Sequence, residues 1–568
     1  MTSNNPSIGY EPTRNNGTAI WIGVVTFATT TALITTCLFT LMPVYPQGIA
    51  LDLLGMWNVH ALSALAADRQ SILRLLLGFG TGALSGLAAA RHAYHNTPLT
   101  EPFRYITSQH PRVHHGEYAR DDLHRRMFAE AGRNAPTGLY LAPHLAMPRS
   151  CETKNILLVG EPNSGKSNII RALADQAIAR GDRVLLLCNK GDVTSAFTKN
   201  DSILIAAPHR DSYALDLAAD IVDVAAAAQF AADIVPESSP PFWSNAARTV
   251  LTDLILKLQE RHPRRWNAGM LLEAALADSE TIRRSIEEIK LNAGALLQGT
   301  DPDAEDKTVT GILLTLRSAV FANLRPLAWA WDDLPPERRF SVRRWMSDDY
   351  VGPRTVIVQY SSDYCSLSTL VAGNVIRRIA KRLADPQLAI DPDRRVVLIL
   401  DEFHLLDKID GLQAALAVGR EKGLVVILGL QNYGQLIETY GETGANTLLD
   451  LFRIKIFGRL SNGASADLVT KYLGERDVSA DIENRAPWKD DKRPCVEERK
   501  TIPTFSPTQL ASQLGVFSNG RNTGDVRAVI HCYGQCYVLE WPFTIWRMKR
   551  KGFIPAGWLK QPPMKKQS

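Results

Sequence analysis

The stretch that most constrains this chain is GEPNSGKS, residues 160–167. It follows the apolar run NILLV (155–159) and precedes NIIRALADQAIAR (168–180), whose apolar residues recur at helical spacing as far as Gly181. Strand, glycine-bearing loop and helix in that order make a phosphate-binding arrangement. Backbone N–H groups of the loop turn toward phosphate oxygens, and the helix N-terminus adds the positive end of its dipole. The spacing G-x-x-x-x-G-K-S makes Gly160, Glu161, Pro162, Asn163, Ser164, Gly165, Lys166, Ser167 and Asn168 the candidate nucleotide-binding residues. Lys166 supplies a point charge for the outer phosphates, and the Ser167 hydroxyl a ligand for Mg²⁺. ATP and Mg²⁺ are the expected ligands.

A phosphate loop of this kind works with a carboxylate pair at the end of a neighbouring strand. VVLILDE (396–402) puts Asp401 and Glu402 there, Asp401 to hold Mg²⁺ through its water shell and Glu402 to polarise the attacking water. On its own such a pair is often a solvated strand end; the loop upstream in the same α/β pattern gives it meaning. The next segment, HLLDKIDGLQAALAVGREKG (404–423), is expected to be a helix with Arg420 exposed at its end. That position suits an arginine completing a neighbouring subunit's site, or a cation stabilising the helix C-terminus. Gln431 closes the strand VVILGLQ and stands level with Asp401 if the two strands are adjacent, able to sense a γ-phosphate or orient water. Further buried strands are expected at 184–188, 203–207, 355–360 and 454–458, with NKGD (189–192) at the ligand-bearing edge of the sheet. VRAVIHCYGQCYVLEW (526–541) alternates like a late hairpin or edge strand.

These readings divide the chain. Residues 1–18 are a polar N-terminus, and 19–91 a hairpin of two membrane helices around an outward loop at about 43–71. A connector at 92–150 leads to the nucleotide-binding core at 151–220 and 332–545, interrupted by an all-helical insertion at 221–331. A basic tail at 546–568 ends the chain. The first span, 19–42, has 24 residues without a charge, enough to cross a bilayer and too long for a signal peptide. The second, 72–90, carries only Arg74 and the row Gly78, Gly82, Gly86, which lets helices approach closely; its alternative is a buried soluble helix. ATP is cytoplasmic, so the core is expected on the cytoplasmic side, next to membrane lipids.

Composition adds three constraints. Seven of the twelve histidines (His92, His95, His110, His114, His115, His124, His144) fall in the connector without metal-ligand spacing, and read as a face for anionic headgroups. Seven cysteines are scattered, which fits a reducing compartment. The net charge is +5, yet residues 541–568 hold seven basic groups and no acid, so the rest sums to −2. With Trp546, Phe553 and Trp558 among its cations, the tail suits contact with DNA, a membrane surface or a partner protein.

Beyond the phosphate loop, KGDVTSAF (190–197), FSVRRWM (340–346) and DEFHLLDKIDGLQAALAVGREKGLVVILGLQNYGQLIETYG (401–441) resemble the type IV coupling proteins of conjugation and type IV secretion, the TraD/TrwB group of FtsK/HerA-type ATPases. The resemblance covers most of residues 19–545. It implies an α/β fold: a RecA-like P-loop NTPase core with an inserted all-α domain, preceded by a two-helix transmembrane hairpin. It also implies catalytic roles for Asp401 and Glu402, a trans-acting Arg420 and a sensor Gln431. The implied assembly is a homo-hexamer in the bacterial inner membrane, an ATPase that moves single-stranded DNA with its relaxase and relaxosome proteins to a type IV secretion channel. The loop departs from the family at Pro162 and Asn163, where many members carry a small residue or Thr. The alternatives are an FtsK-like DNA translocase, another secretion ATPase, or a substrate-docking platform that hydrolyses nothing. Intact Lys166, Asp401 and Glu402 speak against the last.

Overall fold

The computed structural model describes residues 13–14, 16–41, 69–96, 99–100, 104–105, 112–288, 296–297, 307–391, 393–409, 411–461, 463–483, 495–518 and 524–560. Most of the expected outward loop, the first twelve residues and the last eight of the tail lie outside these. The chain forms two compact units: residues 1–125, 470–508 and 533–539, and residues 126–469, 509–532 and 540–568.

In the first unit, helices α1 (Asn16–Leu41) and α2 (Arg69–Asn96) pack along each other. Both are long and apolar enough to cross a membrane. Threonines lower the apolar character of α1 but return their hydroxyls to their own helix, as Thr29 does to the Val25 carbonyl at 2.9 Å. The glycine row forms the contact surface. A Cβ on Gly82 would lie 1.9 Å from Thr31 Oγ1, and one on Gly86 2.8 Å from the Gly23 carbonyl oxygen. The row is therefore filled by the hairpin's own first helix. The connector histidines also divide. His114 is buried, stacked 5.1 Å from Tyr537 on a short strand (Val113–His115) that runs parallel to residues 536–538. It is a core residue, not part of a headgroup-facing surface, and no metal-binding cluster occurs among the described residues.

In the second unit the apolar runs become strands β1 (Ile156–Val159), β2 (Arg183–Cys188), β3 (Ser202–Ile205), β4 (Thr355–Gln359), β5 (Val396–Leu400), β6 (Leu424–Leu430), β7 (Ile454–Phe457) and β8 (Gly524–Cys532). Their order is β8–β7–β1–β6–β5–β2–β4–β3, parallel from β7 to β3, with β8 antiparallel at one side. Every residue of β1 to β7 is buried, which explains largely apolar runs, broken inside a strand only by Lys455 of β7, in place of alternation. Below the sheet, fully buried Glu152 accepts from Arg180, Arg395 and the Leu139 amide, tying four segments together. Burial alone would raise its pKa, but the two guanidiniums outweigh it and hold the carboxyl below its usual range.

The helical stretch begins at Val224–Ile234 and continues through Pro241–Arg261, Ala268–Leu276, Ser279–Glu287, Lys307–Ala319 and Arg325–Trp331. Asp223, Asn267 and Asp278 cap three of these by accepting from the amides of Ala226, Met270 and Thr281. A π-helical turn, Val320–Leu324, absorbs the helix break that Pro326 imposes. Asp233 fastens the stretch to the core helix Cys365–Ala384 through Asn374 (2.7 Å) and Arg377 (2.9 Å).

Candidate nucleotide site

The loop between β1 and the helix α3 (Lys166–Arg180) is held from beneath by the end of β7. The Glu161 amide donates to the Arg459 carbonyl at 2.9 Å, and Gly458 to Val159 at 2.8 Å. Glu161 turns its carboxylate away from the loop to take Arg459 and the Ser461 amide and hydroxyl. Burial opposes ionisation there, but Ser461 and Arg459 outweigh it and lower the pKa. Asn163 adopts φ 61° and Gly165 φ 93°. A Cβ on Gly165 would meet Val526 at 2.4 Å, so both conformation and space require glycine.

α3 starts at Lys166, so its first amides have no preceding helical carbonyl and are available to an anion. Lys166 is buried and curls onto the loop, donating to the Gly160 carbonyl and, at 3.0 Å, to that of Glu161. Burial lowers its pKa, while the Asp401 and Glu402 carboxylates counter the effect. Ser167 Oγ donates to Asp401 Oδ2 at 2.8 Å. Asn168, among the candidate nucleotide-binding residues, turns its side chain to the chain's own backbone. It donates to the Pro542 carbonyl at 2.9 Å and accepts the Thr544 amide at 2.5 Å, gripping the segment after β8.

Glu402 lies beside these groups with φ 61° and ψ 48°. Its carboxylate accepts from Asn189 and, at 3.3 Å, from Gln431 Nε2, with Lys190 Nζ 4.0 Å away. Burial first, then the Asp401 charge, raises its pKa. The adjacent strands β5 and β6 set Leu400 opposite Leu428, so Asp401 is level with Gly429 and Gln431 stands two residues further on. Gln431 thus meets Glu402 and not Asp401. A Cβ on Gly429 would lie 2.6 Å from Asp401 Oδ1, which explains a glycine inside a strand otherwise made of Leu, Val and Ile.

Arg420 is exposed, on a 3₁₀ turn (Gly419–Lys422) after the helix Leu412–Val418. The long helix expected after the carboxylates is shorter than its periodicity suggested, and a 3₁₀ turn (Phe403–Leu405) and a loop precede it. Arg420 does not line the cleft of its own chain.

The cleft formed by the loop, the carboxylates and the end of β2 has a volume of about 430 Å³. Sequence reasoning placed NKGD at its edge but gave Asn189 and Lys190 no role. It also missed Arg171, ion-paired with Asp192, and Phe543 and Trp546, all of which line the cleft. The aromatic pair had no motif to reveal it.

A parallel sheet with a phosphate loop after β1 and paired carboxylates after β5 defines a RecA-like P-loop NTPase fold. Residues 139–514 match the family model for the type IV secretion-system coupling protein DNA-binding domain, and the chain belongs to that family of coupling proteins. The coupling protein TraD of Escherichia coli K12 is 25% identical over 384 residues, 65% of this chain and 51% of TraD, so the chain spans about half that relative's length. Among solved structures, the conjugative coupling protein TrwBdeltaN70 in its trigonal form with sulphate superposes with TM-score 0.62 at 22% identity, covering 81% of this chain and 100% of that one. TrwB with ADP and Mg²⁺ gives TM-score 0.61 at 21% identity, over 80% and 99% of the two chains. At these identities the likeness is one of fold.

Proposed function

We propose that this coupling protein is a membrane-anchored, hexameric ATPase that pumps single-stranded DNA and its bound relaxase into a type IV secretion channel. The observation that carries the reading is the convergence of Ser167, Asp401 and Glu402 on one cleft, with Ser167 Oγ 2.8 Å from Asp401 Oδ2. Both are hard oxygen donors of the kind Mg²⁺ takes, so Ser167 and Asp401 are the residues that would hold it. When bound, the ion would neutralise charge on the phosphates. Lys166 leaves the loop carbonyls for the outer phosphates. Glu402, oriented by Asn189 and Gln431, accepts the proton of the attacking water, while Gln431 senses the γ-phosphate.

Two further parts complete the reading. The apolar pair α1 and α2 anchors the chain in the inner membrane, with residues 151–220 and 332–545 as the cytoplasmic ATPase. The helical stretch at 221–331 docks cargo protein, since it is the one large piece that ATP hydrolysis does not need. Family membership and the fold likeness to TrwB support a coupling role over an FtsK-like translocase. The test is the ATPase rate of the full chain in detergent, with and without single-stranded DNA and across protein concentration. Stimulation by DNA with a steep concentration dependence is expected, and Lys166→Ala should lose the activity by at least about 100-fold. A rate indifferent to both DNA and Lys166 would leave the non-hydrolysing platform as the better description.

A further inference from the structure

The segment after β8 does not leave the molecule as a free basic tail. It turns back across the rim of the nucleotide cleft. Asn168, on the first turn of α3, holds it through Pro542 and Thr544. Trp546 Nε1 donates to Asp175 on the same helix at 2.6 Å. Further on, the Lys549 amide donates to the Ser195 carbonyl at 2.7 Å, on the short helix Asp192–Ala196 that follows β2. The segment therefore bridges the two helices that flank the cleft, and each grip is a named hydrogen bond.

This bridge carries two aromatic rings into the cleft lining, Phe543 and Trp546. Trp546 meets Phe197 edge-on at 5.4 Å, and the Arg171 guanidinium lies 5.7 Å from its centroid. Phe543 is 41% exposed, although nothing in a phosphate site calls for an exposed phenyl ring. A triphosphate needs N–H donors and cations, which the loop end of the cleft supplies. The same lining also holds the two aromatic rings and the Arg171–Asp192 ion pair. The cleft's volume of about 430 Å³ lies in the range of pockets that enclose a whole small ligand, more than its phosphates alone.

We infer that Trp546 and Phe543 form the nucleoside end of the site: a stacking surface for a planar base, with the Arg171–Asp192 pair facing the sugar hydroxyls. The inference rests on the reading of the cleft as a nucleoside triphosphate site and adds which part of the chain takes the nucleoside. Its chemistry is stacking, which accepts any base with a π-face, so the site favours nucleotides over bare polyphosphate more than one base over another. It also gives the C-terminal segment a role that its composition alone left open among DNA, membrane and partner protein.

The test compares Mg·ATP and inorganic tripolyphosphate as ligands of the full chain in detergent, by calorimetry. Trp546→Ala is expected to weaken ATP binding by about tenfold or more while leaving tripolyphosphate within twofold of the unaltered chain. Trp546→Phe should recover most of the loss. Equal weakening of both ligands would mean that Trp546 only props the fold, and no weakening of either would remove it from the site; both overturn the inference while leaving the phosphate site standing. Binding of neither ligand by the unaltered chain would defeat the nucleotide reading itself, and this inference with it. Phe543→Ala, at a more exposed ring, carries the same expectation should Trp546→Ala fold poorly.

Discussion

Two residues of the larger unit show how burial sets chemistry one group at a time. Glu402 takes a left-handed backbone conformation that costs a non-glycine residue about 1–2 kcal/mol, and the turn aims its carboxylate at Asn189 and Gln431. That strain falls where a general base would need fixed orientation. His209 is 1% exposed, accepts the Asp211 amide at Nδ1, and packs edge-on against Phe553 of the returning segment. Burial pushes its pKa down to about 4; Asp211 opposes this, and Arg550, Arg210 and Lys199 reinforce it. In the unfolded chain the same imidazole titrates near 6.5, so between the two values only the unfolded state gains the proton. The stability held above about pH 6.5 is therefore lost as pH falls toward 4, by up to about 3 kcal/mol. Thermal midpoints measured between pH 6.5 and 5, above most carboxylate titrations, should fall in the unaltered chain and fall less in His209→Gln. Parallel pH profiles for the two proteins would refute this assignment.

At the level of elements, what the sequence discloses depends on whether burial is one-sided, two-sided or absent. β2 from Val184 on, β5 and β6 are legible because both faces are covered and no position carries a polar side chain. The segment 404–411 misleads because Phe403, Leu406 and Ile409 recur at a helical interval while being buried by tertiary packing. Phe403 stacks on Tyr440 at 5.9 Å, and the Tyr440 hydroxyl accepts the Ile409 amide at 3.0 Å. The course of residues 541–560 was not legible at all, since aromatic and cationic residues without periodicity suit a nucleic acid, a membrane or the protein's own rim equally. Of the site, the loop and carboxylates were legible as motifs; Asn189 and Gly429 act through strand adjacency, and Trp546 through its hydrogen bond to Asp175 on α3, none of which a local pattern encodes. The glycine row in α2 lies between these cases. Its spacing announced close helix packing, but only the structure assigns α1 as the partner. The chain supplies its own control: a Cβ on Gly80 meets nothing within 4 Å, whereas one on Gly82 meets Thr31 Oγ1 at 1.9 Å. Gly82→Leu should lower the thermal midpoint of the detergent-extracted protein and expose the α1–α2 hairpin to protease, while Gly80→Leu should change neither. Equal effects from both would show that the row packs against something other than α1.

At the scale of the assembled molecule the open question is where Arg420 acts. Among the described residues its side chain makes no ion pair and lies outside the cleft lining, so within one subunit its only evident role is a cation after a short helix. A cyclic oligomer brings a different face of each neighbour against every site; Arg420, on the turn entering the N-terminal end of β6 and so away from the strand ends that bear the carboxylates, would then act on the next subunit's phosphates and not on its own. The two roles separate when defective subunits are mixed. Lys166→Ala removes a site's own phosphate contact, and Arg420→Ala removes what a subunit offers its neighbour. Each variant alone should hydrolyse ATP about 1,000-fold more slowly. In rings mixed at equal ratio, a site works only if its own Lys166 and the neighbour's Arg420 are both intact, a condition met at about a quarter of sites if subunits combine randomly. Recovery approaching that fraction is the expected result, scored on rings captured through two different tags so that mixing is demonstrated. If Arg420 instead acts on its own subunit's site, a ring made of the two variants has no site with both groups intact, and captured mixed rings will stay as inactive as either parent. If Arg420 only balances the dipole of the helix before it, the Arg420→Ala protein will already be active alone, with a cost of about 0.3–1 kcal/mol in stability and little in rate.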